Sequence, residues 1–126
     1  MPIVYCSLGS NIEPRKKYLK QAANKLKAHK DIRILNLSHI YETEPWGVSH
    51  PTWFLNQCIK LETTLNPNKL LDLLEHVEKT LGRTEKGCYA PRTIDIDILL
   101  YDKIILNSPR LIIPHRHMHN RCFVLV

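Results

Sequence analysis

Apolar and polar residues alternate along four segments of the chain, a pattern typical of half-buried β-strands. The segments are residues 3–8, 32–41 and 54–64 and the stretch around Ile94, Ile96 and Ile98. In the second segment the apolar positions change phase between Ile34 and Leu35, which predicts a β-bulge. In the third segment Leu55, Ile59 and Leu61 share one face, which we expect to face the core.

Two other segments repeat apolar residues every three to four positions, as amphipathic helices do. Pro14 suits the first turn of the earlier helix, whereas Asn66 and Pro67 predict the start of the later one and Gly82 its left-handed end. The apolar stripes are Leu19, Ala22, Ala23 and Leu26, then Leu70, Leu73, Leu74, Val77 and Leu81. The opposite face of the earlier helix is basic, and we expect it to be solvated surface rather than a nucleic-acid site. Its residues are Arg15, Lys16, Lys17, Lys20, Lys25 and Lys27.

The predicted element order is β-α-β-β-α-β with mostly antiparallel neighbours. This order is typical of an α+β, ferredoxin-like two-layer sandwich, in which both helices pack on one face of the sheet. Asp102 and Lys103 predict a turn, after which residues 104–106 would form a short hairpin partner for the preceding strand. The open face of the sheet would then carry Phe54, Asn56, Asp95 and Asp97.

Asp95 and Asp97 alternate with isoleucines and therefore point to one face of their strand. Their Cα atoms are expected to lie ~6.5–7 Å apart, which suits carboxylates that hold Mg²⁺ against nucleotide phosphates. Arg83 and Arg92 flank the polar loop just before this strand, and although either could be a surface residue, this placement is what phosphate neutralisation needs. The alternative is a half-buried strand whose exposed positions happen to be acidic, and the spacing alone does not decide between the two.

Phe54 and Asn56 lie on the non-core side of their predicted strand. A planar ring beside a paired donor and acceptor suits recognition of a flat heterocycle, although the amide could equally bond to a neighbouring loop. Trp46 lies in a loop rich in proline, where it could cap the core or line a ligand pocket.

Composition narrows the class of protein further. A chain of 126 residues with 24% charged residues indicates one globular domain, and the net charge of +6 favours an anionic partner. Four scattered cysteines without a CxxC pair indicate neither a zinc ribbon nor a disulfide framework, so we expect reduced thiols. No apolar run approaches the ~20 residues of a membrane span, so we expect a cytoplasmic protein without a membrane partner.

Six segments, taken in order, together resemble a known family. They are LGSN at 8–11, YETEPWG at 41–47, FLN at 54–56, GR at 82–83, PRTIDIDILLY at 91–101, and PH at 114–115 with Met118, Arg121 and Phe123. The chain resembles the 6-hydroxymethyl-7,8-dihydropterin pyrophosphokinases of folate biosynthesis, and PRTIDIDILLY is a highly specific part of that resemblance. It implies a ferredoxin-like fold and transfer of pyrophosphate from ATP to the pterin hydroxymethyl group, with release of AMP.

The resemblance also implies a pterin site and a metal site. Asp95 and Asp97 would hold two Mg²⁺ ions that bridge the ATP phosphates, and Asp95 would lie near the pterin hydroxyl. Phe54 and Phe123 would sandwich the pterin ring, while Asn56 would hydrogen-bond its edge. The implied pterin-binding residues are Gly9, Thr43, Pro45, Trp46, Phe54, Asn56, Asp95 and Phe123.

The implied reaction is a direct in-line attack of the pterin hydroxyl on the β-phosphorus, promoted by alignment and charge neutralisation. Arg92, His115 and Arg121 would contact the phosphates as charge shifts to the leaving AMP. The implied ATP-binding residues are Glu78, Arg83, Arg92, Ile98, Arg110, His115, Arg116 and Arg121. The implied catalytic residues are Arg83, Arg92, Asp95, Asp97, His115 and Arg121.

The sequence departs from the family's pattern at three places. Glu44 replaces a common proline, and Glu85 and Tyr89 stand where basic and tryptophan side chains are usual. The chain also stops at FVLV, where the family normally continues. We expect one pyrophosphokinase domain over residues 1–126, without the family's C-terminal segment. We also expect this domain to be a monomer.

Three alternatives stay open at this stage. One is a shortened, inactive relative that retains pterin or nucleotide binding. Another is an enzyme of the same fold that hydrolyses phosphate without requiring the pterin. The third is an RNA-binding module of similar topology, but the aspartate pair would repel the phosphate backbone of a nucleic acid, so no nucleic-acid partner is expected.

Overall fold

The computed structural model describes residues 1–43, 53–82 and 93–114. Seven strands and two helices lie within these ranges. They are β1 (Ile3–Ser10), α1 (Arg15–Lys27), β2 (Ile32–Leu37), β3 (Tyr41–Thr43), β4 (Phe54–Thr63), α2 (Pro67–Thr80), β5 (Asp95–Tyr101), β6 (Leu106–Asn107) and β7 (Ile112–Ile113).

The main sheet has the strand order β2-β4-β1-β5, and every neighbouring pair is antiparallel. The short strand β3 also pairs with β4, beyond the end of β2. Side chains from both helices and from one face of the sheet form a single hydrophobic core. The predicted ferredoxin-like sandwich is confirmed, and the face of the sheet opposite the helices is left for the site.

Helix α1 buries Leu19, Ala22, Ala23 and Leu26, which is the predicted apolar stripe. Pro14 was expected in the first helical turn, but it lies at the N-cap with an extended backbone. Its fixed φ still suits the entry to the helix, because the Pro14 carbonyl accepts the first helical hydrogen bond, from the Tyr18 N–H at 3.2 Å.

Helix α2 begins as predicted, because the Asn66 side chain accepts a hydrogen bond from the Lys69 backbone N–H at 2.9 Å. It ends before Gly82, whose φ of +95° is the predicted left-handed conformation. The predicted stripe is shifted slightly, since Leu71 and Glu78 are buried while Leu73 is only partly buried. The buried glutamate is the unexpected member of this face.

The predicted strand 32–41 is divided into two. The bulge between Ile34 and Asn36 is confirmed, but pairing then stops and resumes only at Tyr41. Ser38 holds the junction, since its N–H donates to the Cys58 carbonyl at 2.9 Å and its hydroxyl accepts from the Cys58 N–H at 2.8 Å. A side chain thus replaces part of the interstrand ladder between β2 and β3.

The prediction that residues 104–106 form a hairpin with the preceding strand, β5, is wrong. The chain turns at Asp102, which has a φ of +50°, and the Asp102 N–H is donated to the Ile3 carbonyl. Leu106 and Asn107 then pair with Ile112–Ile113 in a separate two-stranded sheet. The turn carries the chain away from β5, so the pairing partner comes from the following segment.

The two described cysteines differ in state. Cys6 is a buried free thiol, as expected, whereas Cys58 is disulfide-bonded. The expectation of reduced thiols is therefore wrong for Cys58. Among the described helices, none combines the length and the apolar character needed to cross a membrane.

Candidate active site

The register of the three central strands brings polar residues from distant parts of the chain onto the open face. Gly9 of β1 lies opposite Asn56 of β4 on one side and opposite Asp95 of β5 on the other. Two residues earlier on β1, Ser7 lies opposite Asp97. Directly opposed residues in antiparallel strands share a face, so the predicted heterocycle residue and the predicted metal ligands line one surface.

The aspartate pair lies on the opposite face of β5 from Ile96 and Ile98, which belong to the core. Asp95 is only 6% exposed and Asp97 is half-buried. A buried carboxylate is costly to desolvate unless charges or hydrogen bonds compensate it. This burial argues against the simple alternative of acidic residues at exposed strand positions.

The donor set of this pair fits magnesium. Mg²⁺ takes oxygen ligands, keeps several waters, and is commonly held by one or two carboxylates together with substrate phosphates. Within the described ranges no three His, Cys, Asp or Glu side chains cluster as a metal site would require. Two carboxylates on one face of a strand are a donor set that suits a metal site shared with substrate phosphates.

The negative charge of Asp97 also affects a buried side chain of the core, the Cys6 thiol. Burial, together with a smaller contribution from the nearby Asp97 carboxylate, raises the pKa of the Cys6 thiol to about 12. The thiol therefore stays protonated and is not a nucleophile at neutral pH.

Asn56, Thr43, Phe54 and Gly9 form a compact group at the end of the open face. The Asn56 side-chain amide donates to the Thr43 hydroxyl at 2.8 Å, and Asn56 is only 8% exposed. A Cβ atom placed on Gly9 would lie 3.1 Å from the Asn56 side-chain oxygen and 3.4 Å from the Phe54 ring. A residue with a side chain at position 9 would therefore crowd the predicted pterin-binding ring and amide.

Glu78 has a clear local role. It is 3% exposed, and its carboxylate accepts a hydrogen bond from the Ile96 backbone N–H at 2.7 Å. Ile96 lies between the two aspartates, so Glu78 holds the strand that presents them. Its predicted contact with ATP stays a prediction beside this observed contact.

Two other predicted nucleotide contacts have defined surroundings. The Ile98 side chain is in the core, so a contact with ATP would have to come from its main-chain atoms. The Arg110 guanidinium donates to Asp72 and, at 3.0 Å, to Glu75 of helix α2. These hydrogen bonds raise the pKa of Arg110 and hold its charge close to that helix.

The remaining predicted site residues lie outside the described ranges. They are Pro45, Trp46, Arg83, Arg92, His115, Arg116, Arg121 and Phe123.

Sequence reasoning missed one contact group beside this site. Arg15, assigned to the solvated face of α1, instead bonds to Glu13, to Glu42 of β3 and to the Trp53 carbonyl. A helical pattern identifies the polar face of a helix, but it carries no information about which strand approaches that face. The acidic residue at position 42, next to Thr43, was the only available signal.

Comparison with known proteins adds a family to this geometry. The family model described as 7,8-dihydro-6-hydroxymethylpterin-pyrophosphokinase (HPPK) matches residues 5–126.

Several curated relatives are also similar over nearly all of the chain. A 2-amino-4-hydroxy-6-hydroxymethyldihydropteridine pyrophosphokinase of Bacillus subtilis (strain 168) is 43% identical, with 98% of this chain and 74% of the relative covered. An enzyme of the same name from Porphyromonas gingivalis is 45% identical, with 98% and 86% covered. The bifunctional protein FolKE of Lactococcus lactis subsp. lactis is 42% identical, but the match covers only 36% of it.

Solved structures agree on the fold. Plasmodium falciparum HPPK-DHPS with SDX-DHP gives a TM-score of 0.66 at 17% identity, over 96% of this chain and 38% of that one. An HPPK-DHPS in complex with substrates gives 0.65 at 16% identity, over 85% and 29%. At such identities the likeness supports the fold alone.

Proposed function

The chain belongs to the 7,8-dihydro-6-hydroxymethylpterin-pyrophosphokinase family, whose reaction is pyrophosphoryl transfer from ATP in folate biosynthesis, and we propose that the open face of its sheet carries out that reaction. ATP and the pterin are the two substrates of the family. The observation that carries the proposal is the register that aligns Asn56, Gly9 and Asp95 across three strands.

Asp95 and Asp97 are the proposed ligands of two Mg²⁺ ions. Bound there, the ions would neutralise phosphate charge and orient the β-phosphate. The protein's own part is to keep both carboxylates on one side of β5, which it does through pairing with β1 and through the hydrogen bond from Ile96 to Glu78.

The proposed pterin site lies partly within the described residues. This part consists of Gly9, Thr43, Phe54 and Asn56. Phe54 offers a ring for stacking, Asn56 offers an amide for the edge of the heterocycle, and Gly9 lets the ligand approach the backbone closely. The bond from Asn56 to Thr43 fixes the amide before the ligand arrives, which reduces the ordering cost of binding. Pro45, Trp46 and Phe123 are proposed to complete this site.

The proposed mechanism is a single in-line displacement. The pterin hydroxyl oxygen forms a bond to the β-phosphorus of ATP while the bond from that phosphorus to the α,β-bridging oxygen breaks, releasing AMP. The hydroxyl proton is lost in the process. Arg83, Arg92, His115 and Arg121 are proposed to stabilise charge on the phosphates, with Glu78, Ile98, Arg110 and Arg116 completing the nucleotide contacts. Catalysis then rests on alignment and charge stabilisation rather than on a covalent enzyme intermediate.

We further propose that residues 1–126 act as one monomeric domain in the cytoplasm, where ATP is available. Some relatives are fused to a second activity, as the bifunctional protein of Lactococcus lactis is. The comparisons favour neither an RNA-binding module nor an inactive relative over the pyrophosphokinase.

The reaction is tested by measuring AMP formation from ATP and Mg²⁺ with and without 6-hydroxymethyl-7,8-dihydropterin. We expect AMP release that depends on the pterin and yields the pterin pyrophosphate in equal amount. AMP release that ignores the pterin would indicate hydrolysis instead. No AMP from a chain that is folded by circular dichroism would favour the inactive relative.

A further inference from the structure

Arg15, at the start of α1, connects two backbone segments that adjoin the proposed pterin site. Its guanidinium donates to the Glu42 carboxylate at 2.9 Å and to the Trp53 carbonyl at 2.8 Å. The same side chain also donates to Glu13 at 2.9 Å. Only 18% of the Arg15 side chain is exposed, but the Glu42 side chain is 53% exposed, so this connection lies at the protein surface.

The two segments it connects lie next to the pterin-facing residues. Glu42 immediately precedes Thr43 on β3, and Trp53 immediately precedes Phe54 on β4. Thr43 and Phe54 are directly opposed in the β3–β4 register. Arg15 therefore reaches both strands at the level of the opposed Thr43 and Phe54.

Strand β3 is a short edge strand in the part of the sheet that the structure describes. Strand β3 is three residues long and pairs only with β4 within the described sheet. A strand this short contributes few interstrand hydrogen bonds and opens easily. An arginine that binds a carboxylate on one strand and a carbonyl at the start of the other supplies a charge-assisted connection that the ladder lacks.

We propose that Arg15 is a positioning residue that holds Thr43, Phe54 and Asn56 in the arrangement that binds the heterocyclic substrate. The proposal rests on the proposed function, since it assigns the pterin to these residues. Arg15 acts through Glu42 and Trp53. It positions Asn56 indirectly, because the Asn56 amide donates to the Thr43 hydroxyl. The effect is confined to one substrate, because Arg15 contacts none of the carboxylates proposed to hold Mg²⁺.

The test compares Arg15→Ala with Arg15→Lys and with a matched control, Arg33→Ala. Arg33 also joins two strands through a carboxylate, since it bonds to Glu62 at 3.4 Å, but its pairing lies at the far end of β4. For each chain we would measure KM for the pterin, KM for ATP, the equilibrium Kd of the pterin by calorimetry, and the thermal midpoint.

Arg15→Ala removes the bonds to both Glu42 and the Trp53 carbonyl, and because these bonds lie at the surface we expect their combined loss to equal about one charge-assisted hydrogen bond, which corresponds to roughly tenfold in affinity. We therefore expect Arg15→Ala to raise both KM and Kd for the pterin by about tenfold while KM for ATP stays unchanged. Arg15→Lys should recover part of the affinity, because lysine keeps the charge but lacks the planar fork. Arg33→Ala should match the wild type in both substrates.

The outcomes separate this inference from the proposed function. An active wild type whose pterin Kd is unaltered by Arg15→Ala would overturn the positioning role and leave the function intact. Equal losses of pterin and ATP affinity with a lowered thermal midpoint would overturn it too, because they indicate general destabilisation. A wild type without pterin-dependent AMP release would count against the function itself.

Should Arg15→Ala fail to fold, Glu42→Gln tests the same connection from its other end. It removes the charge of an exposed carboxylate while keeping its size. We expect a smaller rise in pterin Kd, of a few fold, without a change in KM for ATP. Unaltered pterin binding in this variant would overturn the proposal.

Discussion

Asn56 and Asp95 are polar side chains buried on the open face of the sheet, where an ordinary solvated surface would leave them exposed. Asn56 has its amide committed to Thr43, and Asp95 lies across Gly9 from it. Burial of polar groups costs free energy unless their partners compensate it. Their burial therefore supports the proposed binding site on this face over a plain solvated surface.

Cys6 gives a prediction at the scale of one residue. Its pKa is raised from 9.0 to about 12 by burial, with Asp97 adding to the shift. Below about pH 9 the thiol is protonated in both the folded and the unfolded state, so its contribution to the free energy of unfolding is complete there. Between pH 9 and 12 only the unfolded thiol ionises, so stability should fall by roughly 1 kcal/mol per pH unit.

The measurement is urea unfolding of the wild type and of Cys6→Ala at pH 8 and pH 10 under the same reducing conditions. Other titrating groups are common to both chains and cancel in the difference. We expect the stability advantage of the wild type to shrink by about 1 kcal/mol over this range. An advantage that is independent of pH would contradict the assigned burial of the thiol.

At the scale of elements, β5 is held from both sides. Its pairing with β1 sets the positions of the aspartates, and helix α2 reaches it through the buried Glu78, which accepts the Ile96 N–H. The helix thus does more than bury leucines, since it also satisfies a backbone donor of the strand that carries the site.

We predict that Glu78→Ala lowers the free energy of unfolding by about 1–3 kcal/mol, because the Ile96 N–H is left without its acceptor. Glu78→Gln should cost less, since its carbonyl oxygen can still accept that bond. The matched control is Glu75→Ala on the same helix, whose exposed pair with Arg110 is worth about 0–1 kcal/mol. Equal losses for Glu78→Ala and Glu75→Ala in urea unfolding would contradict the role given to Glu78.

At the scale of the whole molecule, periodicity predicted both helices, the four main strands and their two-layer packing. The stripe Leu19, Ala22, Ala23 and Leu26 is buried as expected, because helical spacing alone determines which side chains share a face. The alternation on β5 likewise predicted that Asp95 and Asp97 share the face opposite the core. Local sequence patterns were sufficient to predict which side chains share a face, because this depends only on the spacing within one helix or strand.

The remaining features depend on which elements meet in space. The partner of residues 104–106 could not be predicted, because the left-handed turn at Asp102 redirects the chain. Arg15 was assigned to solvent, because nothing in its own helix indicates that Glu42 and the Trp53 carbonyl approach it. Eight of the assigned site residues lie outside the described ranges, and five of them rest on family resemblance alone, namely Pro45, His115, Arg116, Arg121 and Phe123.

The central claim is that the carboxylates of β5 act in pyrophosphoryl transfer, and Asp97→Asn tests it most directly. The matched control is Asp102→Asn, an exposed aspartate just beyond the same strand whose φ of +50° asparagine also adopts. Pterin-dependent AMP formation should fall by roughly 100-fold or more in Asp97→Asn, with the thermal midpoint retained, and should stay at the wild-type rate in Asp102→Asn. A folded Asp97→Asn protein that forms AMP at the wild-type rate would contradict the account.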